Sequence, residues 1–264
     1  MKLKGKVALI TGAGSGIGAS TARLMAKEGA AIAAIGIPAG SVRDVAREIS
    51  AHQFRGDQLP GQREAAISIP ADVSVGAEIQ AAVAQTVEYF GRLDIVVASA
   101  GIQLHDQDLN LHELQEEVWD RTHDVNYRGV FLTTKFGLAQ FMEQRTGGVI
   151  VIVASITALN GRSANVSYMS GKHGLLGLNR YIAVHYGKHG IRCNAVCPGA
   201  LERTPNHDIH PDPQGRESKL TNSIPLGRLG TPEDIAPFIT FLSTPDAQYA
   251  NGANFVIDGG VTAA

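Results

Sequence analysis

The sequence is short of several things, and each shortage removes a class of function. Surplus charge is absent: 23 Lys and Arg stand against 25 Asp and Glu, a formal net charge of −2, so no basic field draws nucleic acid or an anionic membrane surface. Long apolar runs are absent too. Nothing approaches the roughly 20 residues of a membrane span, and the opening MKLKGKVALITG has only Val7 to Ile10 as an apolar stretch before Thr11, too little for a secretion signal. Cysteine is scarce: Cys193 and Cys197 both lie in RCNAVCPG. On a strand they stand about 13 Å apart, too far for a disulfide, and are expected as reduced, buried thiols. Repeats, low-complexity tracts and linkers are missing as well. These absences leave a cytoplasmic chain with a small-molecule partner, no nucleic acid and no membrane.

What is present is apolar content, 44% of 264 residues, enough for one sizeable core and a single domain over 1–264. Val-, Ile- and Ala-rich runs recur at 6–11, 31–36, 65–70, 94–99, 148–155, 191–197 and 254–258. They are continuously apolar rather than alternating, which suits strands buried on both faces of a parallel sheet. Helical spacing or good helix formers fill 17–28, 41–51, 75–90, 113–144, 164–188 and 231–242. The alternation predicts an α/β, doubly wound, seven-stranded parallel sheet with helices on both faces. Ligands of such sheets bind beyond the carboxyl ends of the strands. Residues 52–63 read as an exposed loop, and 199–225, with four prolines and two histidines, as a lid.

Two motifs stand where chemistry is expected. The first strand runs into TGAGSGIG, Thr11 to Gly18, whose glycines at 12, 16 and 18 permit a tight turn and close backbone approach to a pyrophosphate at a helix N-terminus. Further on, YMSGK sets Tyr168 four residues before Lys172, on one face of a helix. A phenol with a pKa of about 10 is a poor proton donor or acceptor at neutral pH unless a cation favours the phenolate. Alone, such a pair is far more often a solvated lysine beside a half-buried tyrosine, so other parts of the chain must decide.

Taken together, T-G-x-x-x-G-I-G, Y-x-x-x-K, a serine thirteen residues before the tyrosine, ADVS at 71–74, DVNYRG, CPG at 197–199, PLGRLGTPEDIA and NFVIDGG resemble the short-chain dehydrogenase/reductase family, in order from residue 6 to residue 260. The resemblance implies a Rossmann-type oxidoreductase moving a hydride between NAD(P)(H) and a secondary alcohol or ketone. It assigns Tyr168 as general acid/base, Lys172 as the group that lowers its pKa and binds the nicotinamide ribose, and Ser155 as the donor holding the substrate oxygen. Asn126 would hold a water linking Lys172 to solvent. Cofactor contacts fall to Gly12, Ser15, Gly16, Ile17, Gly18, Asp72, Val73, Ala100, Gly101, Tyr168, Lys172, Pro198, Gly199, Leu201 and Thr204. A homotetramer through helices at about 124–144 and 164–188 is also implied.

The departures bear on specificity. Ala98-Ser99 replaces the family's two asparagines, Gly36 stands where NAD-preferring members carry an acid, and Ser15 and Ile37 where NADP-preferring members carry a base. Both NAD and NADP stay open; the charge argument favours NAD, because a 2′-phosphate without a cation is costlier than a ribose hydroxyl without a carboxylate. His207, Asp208, His210 and Asp212 read as a solvated lid rather than a metal site. Ile102, Gln103, Thr157, Leu159, Asn160 and the lid would shape the substrate pocket. A same-fold isomerase or dehydratase with transient cofactor use, or a nucleotide-sensing scaffold, are the alternatives.

Overall fold

The computed structural model describes residues 1–52, 64–161, 163, 165–202, 204 and 221–264. Of the loop expected at 52–63, His52 belongs to a helix and 53–63 lie outside the described residues, as do most of the lid, Arg203 and residues 205–220 with His207, Asp208, His210 and Asp212. Strand β1 (Val7–Thr11) leads into α1 (Gly16–Lys27), then β2 (Ala31–Gly36), α2 (Ala39–His52), β3 (Ala66–Pro70), α3 (Gly76–Phe90) and β4 (Ile95–Ala98). The second half runs α4 (Glu116–His123), a π turn (Asp124–Arg128), α5 (Gly129–Gln144), β5 (Gly148–Val153), α6 (Val166–Tyr186), β6 (Ile191–Pro198), α7 (Pro232–Leu242) and β7 (Asn254–Ile257). All seven strands pair in parallel in the order β3-β2-β1-β4-β5-β6-β7. Every expected strand is found, within a residue or two at its ends.

The continuous apolar runs resolve into two cores because successive side chains on a strand face opposite ways. Val7 and Leu9 enter one core with Ile79 of α3, Phe141 of α5 and Leu175 of α6. Ala8 and Ile10 enter the other with Met25 of α1, Val42 of α2 and Ile239 of α7. Ile10, Leu9, Ile32, Ile35 and Ile150 are no more than 1% exposed, and burying each such side chain contributes about 2 kcal/mol.

One helix departs from expectation. The stretch read as a single helix over 113–144 begins at Glu116 and is interrupted by the π turn. The widened turn is tied to a specific bond: the Asn126 side chain, fully buried, accepts from Ile102 N and donates to Ile102 O, both at 2.8 Å. A regular turn would rotate that amide away from the backbone it pins. Because β1 and β4 are neighbours, and strand order reverses between them, their carboxyl ends open a crevice flanked by the loops after β1, β4, β5 and β6.

Candidate active site

The crevice is a cleft of about 1260 Å³. All the residues assigned to cofactor or substrate in the sequence line it except Asn126: Gly12, Ser15 to Gly18, Asp72, Val73, Ala100, Gly101, Ser155, Tyr168, Lys172, Pro198, Gly199, Leu201 and Thr204. Asn126 stands behind the wall, bonded to Ile102. A Cβ built on Gly101 would stand 3.1 Å from Asn126 Oδ1 and 3.7 Å from Lys172 Nζ, so these two side chains flank the same backbone.

One end of the cleft has the geometry of a cradle that could hold a phosphate-bearing group. Gly12 has φ +67° and a Cβ there would sit 2.9 Å from Ala100 Cα; a Cβ on Gly18 would sit 2.3 Å from Gly12 O. The backbones of β1, α1 and the loop after β4 therefore meet with no room for side chains. Thr11 fastens the join, its hydroxyl accepting from Ser99 N at 3.1 Å and Ala100 N at 3.3 Å. Ser15, the N-cap of α1, makes no side-chain bond back to the helix, and the first-turn N–H groups of Gly16, Ile17 and Gly18 have no intrahelical acceptors. These donors and the positive end of the helix dipole fit an anionic dinucleotide. Asp72 is held by Ser74 N and Oγ at 2.9 and 2.7 Å and stands 3.8 Å from the Arg121 guanidinium. Its carboxyl lies below the ordinary value, with hydrogen bonds from Ser74 and the charge of Arg121 outweighing burial, the largest single influence and one that acts the other way.

At the other end are the phenol and the ammonium. The Lys172 side chain is 4% exposed, its Nζ donates to Val153 O at 2.9 Å and stands 5.5 Å from the Tyr168 ring centroid. Burial pushes the lysine down from 10.5 to about 8, offset slightly by Cys197. Cys197 itself is raised to about 11, chiefly by burial, and both thiols are free and buried as expected. Ser155 is the N-cap of a single 3₁₀ turn, Ile156–Ala158, and its Oγ accepts from Thr157 N at 3.1 Å. That N–H occupies a lone pair, leaving the hydroxyl proton for another acceptor.

Sequence reasoning missed several lining or supporting residues. His105, Thr262 and Ala264 line the cleft, yet sit in polar or terminal stretches without a motif. Asp108, fully buried, holds the start of α6 from a loop that reads as ordinary polar connection. The five substrate-side residues expected, Ile102, Gln103, Thr157, Leu159 and Asn160, all line the cleft.

Three comparisons agree with this geometry. The family model described as "Enoyl-(Acyl carrier protein) reductase" matches residues 12–262. An uncharacterized oxidoreductase of Thermotoga maritima is 40% identical over the full length of both chains. L-rhamnose 1-dehydrogenase (NAD(P)(+)) of a Sphingomonas species is 38% identical over 98% of this chain and 97% of its own. Among solved structures, a short-chain type dehydrogenase/reductase from Mycobacterium marinum superposes with a TM-score of 0.88 at 30% identity, covering 100% of this chain and 98% of that one.

A sign follows from the buried lysine. Its folded value, about 8, lies below its unfolded value of about 10.4, so between them the unfolded chain binds more protons and stability rises with pH; the full cost of burial is felt below about 8. Lys172→Met is expected to raise the melting temperature of the cofactor-free protein at pH 7 by about 2 to 4 °C, with the gain shrinking toward pH 10. Calorimetry at the two pH values reads it; a lower melting temperature at pH 7 would show that the bond to Val153 O outweighs desolvation.

Proposed function

This chain belongs to the short-chain dehydrogenase/reductase family of oxidoreductases, and on that premise we propose that it transfers a hydride between NAD(P)(H) and a secondary alcohol or ketone, with Tyr168 as general acid/base. The observation that carries the proposal is the Lys172 ammonium, buried beside the Tyr168 ring in the cleft whose far end is the glycine cradle. When bound, the nicotinamide gives up the hydride to the ketone or takes it from the alcohol. Tyr168 gives its hydroxyl proton to the substrate oxygen, or removes it in reverse. The charge of Lys172, in a site of low dielectric, favours the phenolate. Ser155 donates its remaining proton to the same oxygen, stabilising the charge that develops there. Lys172 retains two N–H donors beyond the one given to Val153 O, which suit cofactor hydroxyls. Asn126 acts at one remove, fixing Ile102 and the backbone that shapes the cleft beside Lys172.

For the coenzyme, the stretch at the end of β2 that lines the cleft is Gly36, Ile37, Pro38 and Ser41, with neither carboxylate nor cation. Arg43 is exposed on α2 and does not line the cleft; Arg121 lines it but stands against Asp72. A 2′-phosphate there would lose water without gaining a cation, so NAD is the favoured coenzyme. The assembly proposed is a homotetramer. Tyr127, Phe131, Tyr181 and Val184 are exposed on the π turn, α5 and α6, and Phe238, Phe241, Tyr249 and Val256 on and around α7 and β7; two apolar surfaces on one subunit suit two different contacts. The free, buried thiols fit a cytoplasmic location.

Activity, coenzyme and mass measurements test these readings. Tyr168→Phe should lower turnover by about a thousandfold while NADH still quenches and enhances fluorescence as in the parent; retained turnover would favour the sensing alternative. With an active alcohol, NADH should accumulate, which an isomerase or dehydratase cycle does not allow, and kcat/KM with NAD should exceed that with NADP. Sedimentation equilibrium should return four times the chain mass, and Phe241→Asp or Tyr181→Asp should lower it.

A further inference from the structure

Helix α6, which carries Tyr168 and Lys172, is capped from outside itself. Its N-cap residue is Asn165, a good capping type, yet the Asn165 side chain makes no bond to its own helix. It turns away, Nδ2 donating to Asp108 O at 2.6 Å and Oδ1 accepting from Gln103 Nε2 at 2.6 Å. The cap comes instead from the Asp108 carboxylate, 60 residues earlier in the chain. Oδ1 accepts from Ser167 N at 2.9 Å and Ser167 Oγ at 3.0 Å; Oδ2 accepts from Tyr168 N at 2.9 Å.

We propose that Asp108 is a positioning residue for the reaction, holding the Tyr168 hydroxyl in register with the substrate oxygen by clamping the backbone N–H of that same residue. The inference rests on the reading of Tyr168 as the acid/base. Stability alone does not call for this arrangement. A local cap was available in Asn165, and burying a carboxylate with no basic partner among the described residues costs more than using a neutral one. What the distant carboxylate adds is a link. Asp108 and Asn165 bind the loop after β4 to the first turn of α6, and Gln103 and His105 of that loop line the cleft. The wall that meets the substrate and the residue that protonates it are thus set by one network of hydrogen bonds.

The test uses the full-length protein with NAD and an active alcohol. Asp108→Asn keeps the size and one acceptor but presents an NH₂ group to a backbone N–H. The expected result is a loss in kcat of at least tenfold, since a displacement of about 1 Å at the reacting group costs up to a hundredfold, with the NADH dissociation constant unchanged within twofold and alcohol KM within threefold. Asp108→Glu keeps both acceptor oxygens and shifts them by one methylene; it should fold, bind NADH and still lose kcat. Ser167→Ala removes a bond that does not touch Tyr168 and should keep kcat within twofold. In a Tyr168→Phe background Asp108→Asn should cause no further loss, because no hydroxyl remains to be placed. The proposal is overturned if Asp108→Asn keeps kcat and lowers only the melting temperature, if its loss appears as a rise in KM with kcat retained, or if it lowers the residual rate of Tyr168→Phe by the same factor as in the parent. Each of these leaves the acid/base reading standing, which falls separately if Tyr168→Phe itself retains turnover.

Discussion

The structure is organised around one unfavourable act, the burial of a lysine ammonium at the carboxyl end of β5. Lys172 is 4% exposed and its burial depresses its proton affinity, so the folded chain carries a charge that water would hold better. The compensation is thin: one carbonyl bond to Val153 and the face of the Tyr168 ring. The low dielectric that makes the site costly also strengthens the action of the ammonium on its neighbours. A cation beside a phenol in water changes little, whereas the same cation in a dry wall acts on the phenol with little screening.

Room for this pair is made by backbone rather than by side chains. Gly101 lies between Asn126 and Lys172, where an added methyl group would crowd Asn126 Oδ1 at 3.1 Å and touch Lys172 Nζ at 3.7 Å. Gly174 of α6 packs on the Tyr127 ring, where an added Cβ would come within 2.7 Å, which draws the helix against the π turn. The π turn holds Asn126 on Ile102, and Ile102 belongs to the loop that forms the cleft wall. At the opposite end, Gly12 and Gly18 let β1, α1 and the loop after β4 close on one another. The two ends of the cleft are distinct in chemistry, an array of N–H donors and a phenol–ammonium pair, yet share the single loop that begins at Ser99.

Much of this was legible in the sequence, for physical reasons. Strands buried on both faces must be apolar throughout, so the seven runs stood out, and glycine at 12, 16 and 18 signalled a turn that other residues cannot make. The family resemblance, not the residues alone, then pointed to Tyr168, Lys172 and Ser155, and the fold sets all three on one cleft. The π turn was not legible, because DVNYR has no periodicity of its own and reads as continuous helix. Asp108 was invisible in HDQDLN, a polar stretch whose meaning depends on a partner 60 residues away. Nor does residue type reveal the role of Asn165, a good capping residue whose side chain serves another loop. Residues such as Thr262 and Ala264 reach the cleft only because β7 runs beside β6.

A helix that carries two cooperating groups simplifies the problem of placing them. Tyr168 and Lys172 are four residues apart, so their mutual geometry follows from the helix itself; only the position of α6 as a body against β5 and β6 must be specified. Rotation by a single residue, about 100°, would turn both groups out of the cleft at once. The contacts along its 21 residues prevent this at several heights. Asp108 grips the first turn, the Ser170 hydroxyl meets His123 at 3.2 Å, Asn179 donates to Ala253 O at 3.0 Å, and the Ala183 carbonyl accepts from Asn251 at 3.0 Å. These partners come from the β4 loop, from α4 and from the segment before β7, elements that do not touch one another through α6 alone. A helix fixed by three separate parts of the fold cannot slide to accommodate a change in one of them. The rigidity that fixes Tyr168 and Lys172 in the cleft is therefore a property of the whole fold, concentrated onto one helix.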